Sequence, residues 1–329
     1  MTATTRPHLI VAPYPGEFGW ELMNWQGRVR HIARSTSYGV MTIVGPPDRR
    51  ALYTDIFRAM PKRVRFCPAR PLDLPGAACD DHRIDSQGAK MNPEFVASML
   101  ERFTRAACRH AGFEPTGEIL TPPMDSSMWL TSPPEQAIVS LRRAGPIDID
   151  VALVTRRREI APERNQPDAW WNQLENQLRL CGLNVVRCEP PLNAAISTLS
   201  RSRLAIGAST GGLHLANLCD CPHYVWGPGP EATWTPMRIT NRQRYETIWN
   251  PFGVACQYDE CGWRPSIEHV VKRTLSALKE IGLPALASSR PKRASARWLI
   301  RRKLSALIMP TNRSKVPWRV REFVRTHLI

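Results

Sequence analysis

Between Gly207 and Leu218 the chain reads GASTGGLHLANL, a glycine-rich turn set directly behind the apolar run Leu204–Ile206 and directly before a helical pattern. A parallel strand that ends this way can hold phosphate. Glycines let the backbone come close to a ligand, and the unpaired N–H groups and partial positive charge of a helix start favour an anionic diphosphate. Ser209, Thr210, Gly211 and Gly212 form the turn, and His214 follows one turn into the helix. Two readings are open for His214: a contact with phosphate or ribose, and a plug that seals the helix onto its sheet. The next apolar run, Tyr224–Trp226, ends in the turn GPGPEATWTP, which brings Gly227, Glu231 and Trp234 to the same edge.

Further charged side chains fall where such an edge would gather them. Arg156, Arg157, Arg158 and Arg164 follow the apolar strand Val151–Thr155, and open α/β sheets bind their ligands outside the carboxyl ends of the strands. The competing reading of the four arginines is a solvated charge run. Near the start, the loop PGEFGWEL carries two carboxylates, Glu17 and Glu21, on the way into a helix. A carboxylate there can serve as a general base, or it can cap the helix start. Trp25, Trp170 and Trp171 read as core residues, whereas Trp20 can either join the core or stack on a sugar face.

These loops need a scaffold, and the hydrophobic pattern supplies one. Strands His8–Ala12, Gly39–Val44 and Val64–Phe66 alternate with helical runs, one ending at Arg34 and the others at Asp48–Met60 and Pro93–Ala111. Alternation of this kind gives a parallel sheet with helices on its faces. Prolines cluster between Glu114 and Pro134, and with a helix over Glu135–Ala144 they read as a connection between domains. The rhythm then resumes with strands Val151–Thr155, Asn184–Arg187, Leu204–Ile206 and Tyr224–Trp226. Helices Pro167–Cys181, Leu192–Ser200 and Ser266–Ile281 lie between or after them. The expected organisation is a doubly wound domain over 1–134, a second over 135–287 and a basic tail over 288–329.

At 329 residues the chain can bury two cores. Apolar content of 43% belongs to an ordinary folded protein, and no run of eighteen apolar residues marks a membrane span. The N-terminus lacks the basic head and long apolar stretch of an export signal, so a cytoplasmic location is expected. Nine cysteines at irregular spacing read as small buried side chains, not as disulfides or metal ligands. Net charge is +16, and residues 288–329 hold twelve Lys or Arg against the single acid Glu322. Trp298, Leu299, Leu304, Leu307 and Ile308 interleave those cations. That composition suits the surface of an anionic membrane; nucleic acid or the chain's own first domain are the other surfaces open to it. No helix-turn-helix, zinc-finger or aromatic RNA-binding signature is present, which makes nucleic acid an unlikely partner.

Residues 203–236 resemble the C-terminal signature of glycosyltransferases of the ADP-heptose:lipopolysaccharide heptosyltransferase type. Thr210, Gly211, His214, Leu215 and Ala216 match its first half, and Gly227, Pro228 and Pro236 its second. Ser209 departs from the acid usual there. The resemblance implies the GT-B fold: two facing Rossmann-like, doubly wound α/β domains. It also implies transfer of a sugar from a nucleotide-sugar donor to a glycan or lipid-linked acceptor, inverting and metal-independent, with no cofactor beyond the donor. Basic residues in the 156–164 loop would contact the donor phosphates, and Gly16-Glu17 stands where the family carries a Gly-Asp pair whose acid is the proposed base. A fucosyl- or xylosyltransferase of the same fold, or an inactive donor-binding relative lacking the acid at 209, would share these motifs.

Overall fold

The structure is a computed structural model that describes residues 7–35, 38–69, 93–122, 136–158, 161–229, 240–281 and 293–300. The chain divides into two compact units, Met1–Ile138 and Val139–Ile329.

In the first unit, strand β1 (His8–Val11) leads through a loop into helix α1 (Phe18–Trp20), a π-helical turn (Glu21–Trp25) and helix α2 (Gln26–Ser35). Strand β2 (Val40–Gly45), a 3-10 turn (Pro47–Tyr53), helix α3 (Thr54–Ala59), strand β3 (Val64–Pro68), helix α4 (Pro93–His110) and strand β4 (Glu118–Leu120) complete it. The sheet order is β3-β2-β1-β4, and all pairs are parallel. The apolar run Leu9–Val11 is buried on both faces, as a central parallel strand requires. Ile10, Val44 and Cys67 pack against Phe103, Ala107 and Cys108 of α4.

Arg30 of α2 is fully buried and gathers this unit's loops. Its guanidinium donates to Asp55 Oδ2 at 2.9 Å, to the Leu52 carbonyl at 2.6 Å and to the Ala137 carbonyl at 3.2 Å, and it also meets the Gln26 side chain. The helix expected over Asp48–Met60 is two pieces, a 3-10 turn that opens on Pro47 and then α3.

In the second unit, strand β5 (Ile149–Leu153) is followed by a 3-10 turn (Pro162–Arg164), helix α5 (Asp168–Leu180), strand β6 (Val185–Arg187), helix α6 (Leu192–Ser200), strand β7 (Ser202–Ala208), helix α7 (Gly211–Leu218) and strand β8 (His223–Trp226). Helix α8 (Asn241–Gln243) runs into a second π-helical turn (Arg244–Ile248) before strand β9 (Cys256–Asp259) and helix α9 (Ile267–Ile281). The sheet is wholly parallel in the order β6-β5-β7-β8-β9. Val151, Leu153, Leu204, Ile206, Tyr224 and Trp226 form a core with Trp171 and Leu174 of α5 and Val270 and Leu278 of α9.

A further expectation needs correction here. The stretch 136–143 is not helical. Its backbone is used by other elements: the Ala137 N–H donates to Gly27 and the Leu141 N–H to Leu218. On α9, the buried face runs through Val270, Thr274, Ala277 and Leu278, leaving Leu275 39% exposed.

Close packing fixes two glycines. A Cβ on Gly207 would stand 2.6 Å from the Val154 carbonyl oxygen, and one on Gly212 2.5 Å from Val154 Cγ1. The oxygen belongs to a backbone that cannot step aside, whereas the methyl can rotate away. Gly207→Ala is therefore expected to destabilise the second unit by about 1–3 kcal/mol and Gly212→Ala by less. Urea denaturation followed by tryptophan fluorescence checks the order; equal losses would contradict it.

Candidate functional site

The strand order of the second unit reverses direction between β5 and β7, and doubly wound sheets open a crevice at the carboxyl ends of such a pair. The β5 loop carrying the arginines and the β7–α7 turn both start there. Thr210, Gly211 and Gly212 are half-buried and reachable, while Ser209 between them and the strand is fully buried.

Ser209 is the centre of the polar arrangement. Its carbonyl accepts from Arg164 at 2.6 Å, and its hydroxyl accepts from Arg244 at 2.8 Å. The Tyr245 hydroxyl lies 3.2 Å from Ser209 Oγ and 3.1 Å from the Thr210 carbonyl. Trp263 supports the Arg164 guanidinium at 4.4 Å from its ring centre, and Tyr245 and Trp249 flank that of Arg244 at 5.2 and 5.4 Å. Thr210 precedes α7 in an extended conformation and gives it no side-chain cap. The Leu213 N–H donates to the Thr210 carbonyl at 3.1 Å, while the Gly211 and Gly212 N–H groups precede any intrahelical acceptor, and two guanidinium groups stand beside this helix start. An oxyanion at this edge would meet both.

The remaining arginines of the 156–164 loop make contacts within that loop and with the next helix. Arg156 is buried and staples its own loop, donating to the Ala161 carbonyl at 2.9 Å and to the Asn165 side chain. Arg157 is exposed and pairs with Asp168 at 3.0 Å, and the Arg158 N–H donates to Asn165 Oδ1. Of the four, Arg164 reaches the glycine-rich turn.

His214 takes the structural one of its two readings. It is 3% exposed, stacks on Tyr245 with ring centres 4.2 Å apart, and meets the edge of Trp249 at 4.5 Å. Burial, then the charge of Arg244, pushes its pKa well down, so the ring is neutral. Gly227 is likewise a packing residue: its N–H donates to the Asp259 carbonyl, and a Cβ would run into the Tyr258 hydroxyl. Glu231 and Trp234 lie outside the described residues.

In the first unit, Glu17 ends the loop after β1. It has an extended backbone and a half-buried side chain, and its carbonyl accepts from the Trp20 and Glu21 N–H groups. Glu21 neither caps the helix nor faces solvent. It is buried and bound to Arg49 Nε at 2.8 Å, and that guanidinium lies 4.4 Å from the Phe18 ring centre. An acid locked in this way is a structural partner. Trp20 is buried and offers no sugar platform.

Arg244, Tyr245 and Trp263 were not legible as site residues, because no motif marks the sequences around them. In the tail, Trp298 is also buried and its Nε1–H donates to the Ile248 carbonyl at 2.8 Å, so it belongs to the second unit's packing and not to a membrane-facing stripe. Leu299 and Ile300 are exposed. Residues 301–329 lie outside the described residues, among which no helix is long and apolar enough to cross a membrane.

No protein-family model matches the sequence, and neither does any curated protein. Among solved structures the chain is similar to the E. coli ADP-heptose lipopolysaccharide heptosyltransferase II, at 12% identity over 83% of this chain and 99% of that one, with a TM-score of 0.47. It is similar to a glycosyl transferase family 9 protein from Veillonella parvula DSM 2008, at 10% identity over 83% and 98% with a TM-score of 0.44. A third is the E. coli heptosyltransferase WaaC with ADP, at 9% identity over 82% and 100% with a TM-score of 0.41. At identities and scores this low, nothing about the chemistry of this chain follows from them.

Two buried histidines give this unit a pH dependence. His223, like His214, is held neutral by burial, with its pKa lowered to about 4. An unfolded histidine takes up its proton near pH 6.5, so between that value and about 4 the unfolded chain binds more protons than the folded one. Stability is therefore fully present above pH 6.5 and declines as the pH falls through this window, by on the order of 3 kcal/mol for His223 alone. Denaturation midpoints measured from pH 7.5 to 4.5 are expected to drop below about 6.5, and His223→Gln is expected to flatten the fall. A midpoint flat across the range would refute the assignment.

Proposed function

We propose that this chain is a glycosyltransferase that holds the diphosphate of a nucleotide-sugar donor at the β5–β7 switch point and transfers the sugar to a glycan or lipid-linked acceptor in surface polysaccharide assembly. One observation carries the reading: Arg164 and Arg244 converge on Ser209 beside the uncapped start of α7. The matching motif residues Thr210, Gly211, Leu215 and Ala216 support it. As the bond from the sugar to the diphosphate breaks, negative charge grows on the leaving phosphate. Fixed donors aimed at that charge stabilise the transition state more than the ground state. The helix start and the two guanidinium groups take this role in place of a metal at the phosphates. Glu17 removes the proton of the acceptor hydroxyl as it attacks, which gives inversion at the sugar carbon. The basic residues after 288 hold the enzyme on the anionic cytoplasmic face of a membrane, where a lipid-linked acceptor would be presented.

The donor half is tested by thermal stabilisation against a panel of nucleoside diphosphates and nucleotide sugars. One base is expected to raise the melting temperature, with affinity reduced about tenfold or more in Arg164→Ala and Arg244→Gln, as loss of a charge-assisted phosphate contact implies. The exposed Arg157→Ala should leave binding unchanged. If no diphosphate stabilises the protein, or if Arg157→Ala weakens binding as much as Arg164→Ala, the donor site is wrong.

The base is tested separately with the donor so identified. Glu17→Gln is expected to bind the nucleotide normally and to lose roughly 10²–10⁴ in transfer rate. Transfer at the wild-type rate would remove Glu17 from the mechanism.

A further inference from the structure

We propose that Asp259, Cys261 and His269 form a binding site for one divalent transition-metal ion of the zinc class, which clamps the end of β9 to α9. Nothing in the donor-site argument uses these residues, and the inference stands or falls apart from it. The expectation that the cysteines are only small buried side chains is set aside for Cys261.

One ligand atom from each of the three side chains lies within 4.8 Å of the others, and all three residues are half-buried. They come from two elements: Asp259 is the last residue of β9, Cys261 stands in the turn after it, and His269 lies in the first turn of α9. Gly262, with φ of +82°, bends the chain directly after Cys261, a conformation open to glycine. A tetrahedral ion with bonds of about 2.0–2.3 Å needs its ligand atoms roughly 3.3–3.8 Å apart. Asp259 Oδ2 and His269 Nε2 are already 2.7 Å apart, so the site forms by opening that pair slightly and rotating the thiol inward.

The donor set fixes the class of ion. A thiolate, an imidazole and one carboxylate oxygen suit zinc or cobalt better than calcium or magnesium, which take oxygen ligands. The charges also balance, since carboxylate and thiolate together neutralise a divalent cation. Binding breaks the S–H bond of Cys261 and releases that proton to solvent. The imidazole proton moves from Nε2 to Nδ1, so Nε2 offers its lone pair, and a water completes the fourth position. Around the site, the Tyr224 hydroxyl donates to Asp259 Oδ2 at 2.9 Å and orients the carboxylate, the outer-shell contact that ligating carboxylates require. Arg273 Nε stands 3.6 Å from the same oxygen and opposes a cation; its side chain is 40% exposed and can turn to water.

The test titrates cobalt(II) into the full-length, chelator-treated protein and follows the thiolate-to-cobalt charge-transfer absorption. The expected result is saturation at one equivalent, loss of the band in Cys261→Ser, at least tenfold weaker binding in His269→Ala, and an unchanged band in Cys256→Ser. Zinc should raise the melting temperature of the wild type and not that of Cys261→Ser. In the wild type, zinc should also shield Cys261 from alkylation, mapped by mass spectrometry, so that the outcome does not depend on a variant's folding. Absence of the band in the wild type, a band that survives Cys261→Ser, or alkylation of Cys261 unaffected by zinc would overturn the proposal and leave the three side chains as a hydrogen-bonded cluster only.

Discussion

The close approach of β5 to the β7–α7 junction, with Val154 set against Gly207 and Gly212, is the constraint on which the rest of the second unit depends. The Val154 N–H donates to the Ile206 carbonyl at 2.9 Å, and two side-chain-free positions let the turn fold down beside it. Ser209 is thereby pressed into the interior, and its N–H is bonded to the Trp226 carbonyl at 2.9 Å. A motif that reads as room for a ligand is first of all room for a neighbouring strand. The ligand-accessible surface is what lies one residue further on, at Thr210, Gly211 and Gly212.

Burying Ser209 creates a polar group that must be satisfied, and that requirement organises the surrounding loops. The residue is reached from two directions, by Arg164 from the β5 loop and by Arg244 and Tyr245 from the π-helical turn. Arg30 does the equivalent in the first unit, where one guanidinium with five donors ties residues 26, 52, 55 and 137 together. In both places a buried arginine replaces regular structure as the means of holding loops. Removing Arg30 would take a buried donor from the Leu52 and Ala137 carbonyls at once.

This division explains what the sequence makes legible. The strands β1, β2, β5 and β7 and the helices α4, α5 and α6 follow from apolar runs and helical spacing, and they appear within a few residues of expectation. Two edge strands do not: β4 is three residues long amid prolines, and β9, CQYD, alternates too little apolar character to stand out. The false helix at 135–144 had helical composition, but tertiary partners claim its backbone groups. At the site, Arg164 was within reach of pattern reading because it follows a strand end. Arg244 and Trp263 were not, since they lie 35 and 54 residues beyond Ser209 and only the folded chain brings them back. Glu21 and His214 were visible as chemical groups, yet burial and partners give them structural work.

The serine at position 209, where the resembling family carries an acid, bears on whether the site can still act. A carboxylate at that point would form ion pairs with Arg164 and Arg244 and draw their charge inward, at short range and in a buried setting where such pairing is strong. A hydroxyl and a backbone carbonyl accept the same two guanidinium groups through neutral acceptors. They hold Arg164 and Arg244 at the turn without a carboxylate at position 209.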